Sequence, residues 1–179
     1  TDKYDIINGT NSTAGANLSV VRFNHAGISD GSGLGVFAGG RTSDTAVSTT
    51  DKYDIAAGTA SAAGANLSAV KMSLGGISDG SGFGVFGAGQ TASGSGFLAT
   101  TDKYDIANGT NSSAGANISQ SRVNLAGISD GSGFGVFGGG LTASATVSTT
   151  DKYDIANGTN SSAGANISQA RQGLAGISD

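Results

Sequence analysis

A hexapeptide, Thr-Asp-Lys-Tyr-Asp-Ile, opens the chain at Thr1 and returns at Thr50, Thr101 and Thr150. Its tyrosines, Tyr4, Tyr53, Tyr104 and Tyr153, stand 49, 51 and 49 residues apart. The intervening text is nearly as constant. NGTNSSAGANIS fills Asn108–Ser119 and again Asn157–Ser168, while GISDGSGFGVFG fills Gly76–Gly87 and Gly127–Gly138, with GISDGSGLGVFA at Gly27–Ala38. A chain that repeats at a fixed period builds one supersecondary unit several times and buries apolar surface by stacking the copies. The 179 residues therefore read as a single repeat array spanning 1–179, with copies starting near 1, 50, 101 and 150.

Within one period, four short segments have the character of strands. In the third copy they begin with Val123–Asp130, followed by a Gly-Ser-Gly turn and then Phe134–Gly139, where Val136 alternates with Phe137. After a Ser/Thr/Ala loop comes Thr150–Ile155, placing Tyr153 and Ile155 on one face and Lys152 and Asp154 on the other. Asn157-Gly158 marks a hairpin turn, and Ala163–Gln169 makes a weaker fourth strand. Composition supports strands over helices: 32 residues are Gly, the rest is rich in Ser, Thr, Ala and Asn, and most of these hold helix interiors poorly. The fold class expected is all-β: a β-propeller of four-stranded antiparallel blades with a period of about 50 residues, with a β-solenoid as the alternative.

The run Arg22–Gly40, RFNHAGISDGSGLGVFAGG, resembles the kelch repeat: a basic residue, a small-rich first strand, a turn, and an apolar second strand ending in paired glycines. The Asp-Lys-Tyr-Asp that follows resembles the kelch third strand. The pattern covers the whole chain, and is similar also to low-complexity kelch-like repeats of bacteriophage and bacterial surface proteins. It departs at the fourth-strand Trp, where Leu18, Leu67, Ile118 and Ile167 stand nearest. In the kelch scheme the chain starts in strand three and ends after strand one, so a four-bladed ring would lack strand two of its closing blade. The exposed edges this leaves are costly. The expectation is a segment of a longer propeller chain, or a homo-oligomer in which several chains complete the ring.

Catalysis has little material. There is no Cys or Glu, every acidic residue is Asp, and His25 is the one histidine, with Leu74, Leu125 and Leu174 in its place elsewhere. No nucleophile–base set, zinc site or other cofactor site can be drawn from these residues, so no enzyme, cofactor or metal is expected. The GISDG turns at Asp30, Asp79, Asp130 and Asp179 are rich in oxygen but lack the spacing and terminal Glu of a calcium loop, and read as Asx turns. Asp5, Asp54, Asp105 and Asp154 read as stabilisers of the third hairpin. The sequons at Asn8, Asn11 and Asn17 read as turn chemistry.

The binding candidates are the repeated basic positions Arg22, Lys71, Arg122 and Arg171, in the connection from strand four to strand one. The kelch resemblance implies that this connection opens on a binding face. A ring of cations there suits an anionic, carboxylate- or sulfate-bearing protein or glycan partner; the plainer reading pairs each cation with a neighbouring Asp. A net charge of −4 and the absence of a basic stripe argue against nucleic acid, and no apolar run is long enough for a membrane span. The function expected is a non-enzymatic structural or adhesive module of a virion or cell surface, extracellular in setting, mediating protein interaction. The alternative is a multivalent, lectin-like glycan-binding propeller.

Overall fold

The computed structural model describes residues 2–5, 7–13, 15–43, 45–62, 64–113, 115–162 and 164–178, with the side chains at 3–5, 13, 113 and 162 left aside. The described residues contain strands and no helix. A hairpin of β1 (Asp2–Asp5) and β2 (Thr10–Thr13) comes first. Sheet one follows, with β3 (Ala26–Ser29), β4 (Leu34–Ala38), β5 (Thr50–Asp54) and β6 (Thr59–Ala62) in spatial order. Sheet two holds β7 (Gly75–Ser78) and β8 (Phe83–Gly87), then β11 (Thr101–Asp105) and β12 (Thr110–Ser113). Between β8 and β11 lies a separate hairpin, β9 (Gln90–Ala92) and β10 (Ser95–Phe97). Sheet three is β13 (Ala126–Ser129), β14 (Phe134–Gly138), β15 (Thr150–Asp154) and β16 (Thr159–Ser162). Each four-stranded sheet is an antiparallel meander, one per period.

The fourth strand differs from the sequence expectation. It is Thr159–Ser162 rather than Ala163–Gln169, and of the expected span 164–169 is turn and loop while Ala163 lies outside the described residues. Turn chemistry decides this. Asp154 Oδ1 accepts the Asn157 N–H (2.9 Å), Asp154 Oδ2 accepts from the Asn157 amide (2.8 Å), and the Gly158 N–H bonds Asp154 O (2.9 Å). The hairpin closes over four residues, 155–158, of which Gly158 alone is left-handed (φ 64), so the return strand starts at once with Thr159 opposite Asp154. The first strand is also shorter than expected: Val123 makes only an isolated bridge to Leu141 ahead of β13.

Register divides each sheet into two faces. In sheet two, Gly76, Gly84, Phe86, Asp102, Tyr104 and, past the strand end, Ile106 look back toward sheet one. Ile77 and Val85 look forward to sheet three. The core is consequently a set of layers between sheets. Ala26, Ile28, Val36 and Ala38 of sheet one meet Phe86, Tyr104 and Ile106; Ile77, Val85 and Ala88 of sheet two meet Phe137, Tyr153 and Ile155. Tyr104 and Tyr153 are fully buried, each edge-on to a phenylalanine, and each phenol lies 3.4 Å from a threonine hydroxyl of the preceding sheet. Burial pushes both phenols up from their ordinary pKa, partly offset by those contacts. Leu67 and Ile118, nearest the absent Trp, are buried in the same layers.

Close approach is made possible by glycine. An added Cβ on Gly135 would lie 2.6 Å from Ile77 Cδ1, and one on Gly127 would lie 2.1 Å from Gly76 O. Backbone bonds also cross between copies: Ser73 N–H to Asn24 O (2.8 Å), Asn124 N–H to Ser73 O (2.9 Å) and Gly173 N–H to Asn124 O (2.9 Å).

Candidate functional site

The basic positions do not form an exposed rim. Arg22, Lys71 and Arg122 are buried, each ion-paired with the Asp of the next Thr-Asp-Lys-Tyr: Arg22 with Asp51 (2.5 Å), Lys71 with Asp102 (2.6 Å) and Arg122 with Asp151. Arg22 also donates to Thr49 O (2.6 Å) and Phe37 O (3.1 Å), and Lys71 to Thr100 O (3.1 Å). The aspartates hold the linker from its other side, since Asp51, Asp102 and Asp151 accept the N–H of Ser19, Ser68 and Ser119. Each cation is thus a clamp between a linker and the third strand of the following sheet. Burial pulls the Arg22 and Arg122 guanidinium groups below their ordinary value, and the paired aspartate partly restores them. Asp102 feels burial pushing it up, but the Lys71 charge and the bonds from Lys71, Ser68 and Asn111 win, leaving it below the usual carboxylate range. Arg171 is exposed, with a long bond (3.4 Å) to Gln169.

The signal for these clamps was present in the sequence. One cation and one Thr-Asp-Lys-Tyr aspartate recur in each copy, 29 or 31 residues apart. Spacing alone did not say that the two side chains meet inside.

The other polar positions have local roles. Asp30, Asp79 and Asp130 each accept two backbone N–H bonds, from the residues two and four further on, which is Asx-turn geometry. The N–H groups of Ser132 and Phe134 hold the exposed Asp130 carboxylate below its ordinary value. Asp54, Asp105 and Asp154 close the third hairpins. Asp179 and the side chain of Asp5 lie outside the described residues. Among the described residues no three His, Cys, Asp or Glu side chains gather in a way that could hold a metal ion. His25 packs edge-on to Phe37, and its buried Nδ1 has no hydrogen-bond partner. Burial first, then the nearby Arg22 charge, hold its pKa down against the pull of Asp51.

What remains is a cavity of about 430 Å³. Phe37, Tyr53 and Ile55 of sheet one border it, together with glycines and serines of β3, β7 and β13 and with Gly176 and Ser178 near the chain's end. Its lining has no Asp, Glu, His, Lys, Arg or Cys. Such a surface offers apolar rings, hydroxyls and backbone amides, groups suited to contact by shape and by main-chain hydrogen bonds. Sequence reasoning missed it because Phe37, Tyr53 and Ile55 occupy the same repeat positions as Phe86, Tyr104 and Ile106, which are all fully buried. No protein-family model matches this chain, and no curated protein matches it.

Proposed function

We propose that this chain is a non-enzymatic structural or adhesive repeat module that works by binding other polypeptides at a virion or cell surface. The observation that carries this reading is the use of polar chemistry: Arg22, Lys71 and Arg122 are buried in clamps with Asp51, Asp102 and Asp151, the other repeated aspartates close turns, and the cavity is lined by groups that bind rather than react. The finer architecture proposed is a kelch-like propeller. Its support is the one antiparallel meander per period, the packing of β3 beside β7 and β7 beside β13, and a cavity bordered by first-strand segments of every copy. A hydroxyl- and amide-rich composition with few charges suits the surface setting proposed. The lectin-like alternative asks for one aromatic pocket per repeat. Phe86 with Tyr104 and Phe137 with Tyr153 are fully buried between sheets, which weighs against it.

Two measurements test the reading. Small-angle scattering distinguishes a flat, ring-like particle from the rod of a solenoid. A glycan array should stay blank with the folded chain, and saturable binding to a glycan class would overturn the adhesive reading in favour of the lectin-like one.

A further inference from the structure

The third hairpins of the second and third sheets carry Asn-Gly at their tips, Asn108-Gly109 and Asn157-Gly158, where the first sheet has Ala57-Gly58. The turn does not need the asparagine amide. Asp54 Oδ1 accepts the Ala57 N–H (2.8 Å) and the Gly58 N–H bonds Asp54 O (2.9 Å), just as Asp105 Oδ1 accepts the Asn108 N–H (2.9 Å) and the Gly109 N–H bonds Asp105 O (2.9 Å). What asparagine adds is a reactive carboxamide beside a residue that has no side chain to shield its nitrogen.

That pair can react with water as the only co-reactant. The Gly109 nitrogen gives its proton to solvent base and bonds Asn108 Cγ. The Cγ–Nδ2 bond breaks, Nδ2 takes up a proton and leaves as ammonia, and a succinimide ring remains. Water then opens the ring, at the side-chain carbonyl to give Asp or at the main-chain carbonyl to give isoaspartate.

In the folded hairpin both reacting groups are tied down. Gly109 is buried, with its N–H on Asp105 O and its own carbonyl accepting the Ala65 N–H (2.8 Å). The exposed Asn108 amide donates from Nδ2 to Asp105 Oδ2 (2.8 Å), so one carboxylate holds the residue at its backbone and at its leaving group. Those bonds, the backbone one first, keep the Asp105 carboxyl below its ordinary value, and it stays an acceptor at neutral pH. Asn157 has the same set: Nδ2 on Asp154 Oδ2 (2.8 Å), N–H on Asp154 Oδ1 (2.9 Å), and Gly158 held by Asp154 O (2.9 Å) and by the Ala116 N–H (2.9 Å). Lysines of the preceding sheets steady both tips, Lys52 on Ala107 O (2.9 Å) and Lys103 on Ala156 O (3.2 Å).

We propose that Asn108 and Asn157 are self-deamidation sites, locked by Asp105 and Asp154 while the hairpin is folded and released when it opens. Asp105 and Asp154 act as positioning residues. The change runs one way, because a carboxylate formed at 108 stands where the amide donated to Asp105 Oδ2, and two like charges then meet at hydrogen-bond distance. Each opening of these hairpins thus risks a permanent mark, which the hairpin with Ala57 cannot acquire. This goes beyond the reading of the chain as a binding module.

The test incubates the whole chain at pH 8, folded and in urea, and reads Asn, Asp and isoaspartate at 108 and 157 by peptide mass mapping with fragmentation. Loss of Asn at both positions should be at least ten-fold slower in the folded chain. Asp105→Asn, which offers one oxygen where the carboxylate offers two, should speed the folded chain's reaction at 108 at least three-fold and leave 157 at the parent rate; Asp154→Asn should do the reverse. That selectivity separates a local lock from a general loss of stability, which would speed both sites. Asn108→Asp, a copy of the product, should melt below Asn108→Ala, a copy of the first sheet's Ala57. The proposal is overturned by equal rates in urea and in the folded chain, by an Asp105→Asn chain that reacts at 108 as the parent does or speeds both sites alike, or by Asn108→Asp melting at or above Asn108→Ala.

Discussion

Lys71 shows how much a single buried charge carries. Its ammonium and the Asp102 carboxylate are fully buried, so removing one partner leaves the other desolvated without a countercharge, at a cost of roughly 3–5 kcal/mol. Lys71→Met should therefore destabilise the fold by about that much in urea unfolding at pH 7. The pH dependence follows from sign. In the parent, Asp102 is held below its ordinary 3.8, so its contribution is present above that value and is lost as pH falls through the folded-state pKa. In Lys71→Met the Lys71 charge and bond are gone and only the Ser68 and Asn111 bonds oppose burial, so the carboxyl rises relative to the parent and the gap between variant and parent should narrow from pH 7 to pH 4; a gap that widens would contradict the clamp. His25 has the opposite balance of cost and benefit. Its buried Nδ1 lacks a partner, and Leu fills its place in buried positions 74 and 125. Replacing it with Leu should stabilise by about 1 kcal/mol. Because the folded imidazole is held below 6.5, the parent loses stability as pH falls below that value while the unfolded chain takes up the proton, and His25→Leu should remove that loss.

At the scale of the strand, the second strands carry two kinds of glycine. Gly135 lies under Ile77, and an added methyl would stand 2.6 to 2.9 Å from three atoms of that side chain. Gly138 has ordinary space, its nearest neighbour 3.8 Å away, and the equivalent position in sheet one is Ala38. Gly135→Ala should cost about 1–3 kcal/mol through overpacking, while Gly138→Ala should stay within about 0.5 kcal/mol. Thermal melts of the two variants side by side check this; equal effects would mean that the sheets are not held at glycine distance. The β9–β10 hairpin belongs to the same scale. It arises where the second copy is two residues longer than the others, and it leaves the pairing of β8 with β11 in the register of β4 with β5.

At the scale of the molecule, stability should be additive in neighbouring copies, because the apolar layers described lie between one sheet and its sequence neighbours. Duplicating residues 101–149 in tandem adds one sheet and one complete layer. Denaturant unfolding of that longer chain should show a higher midpoint and a steeper slope than the parent, and no gain would mean that the layers do not act as equivalent units.

The repeat, the all-β class, the one meander per period and the packed role of the His25 position were readable in the sequence, because period and alternation translate directly into strands and faces. The hairpin aspartates were readable for the same reason, since an Asx turn is settled within four residues. Three things were decided only by tertiary structure. The fourth strand starts earlier than its apolar content suggests, because the Asp154 turn sets the register before any side chain is buried. The repeated cations are internal, because the aspartates 29 or 31 residues onward meet them there, a contact that no local pattern encodes. Phe37, Tyr53 and Ile55 border a cavity, with Ile55 half-exposed, while Phe86, Tyr104 and Ile106 at the same repeat positions are fully buried, since identical residues differ only in what stacks upon them.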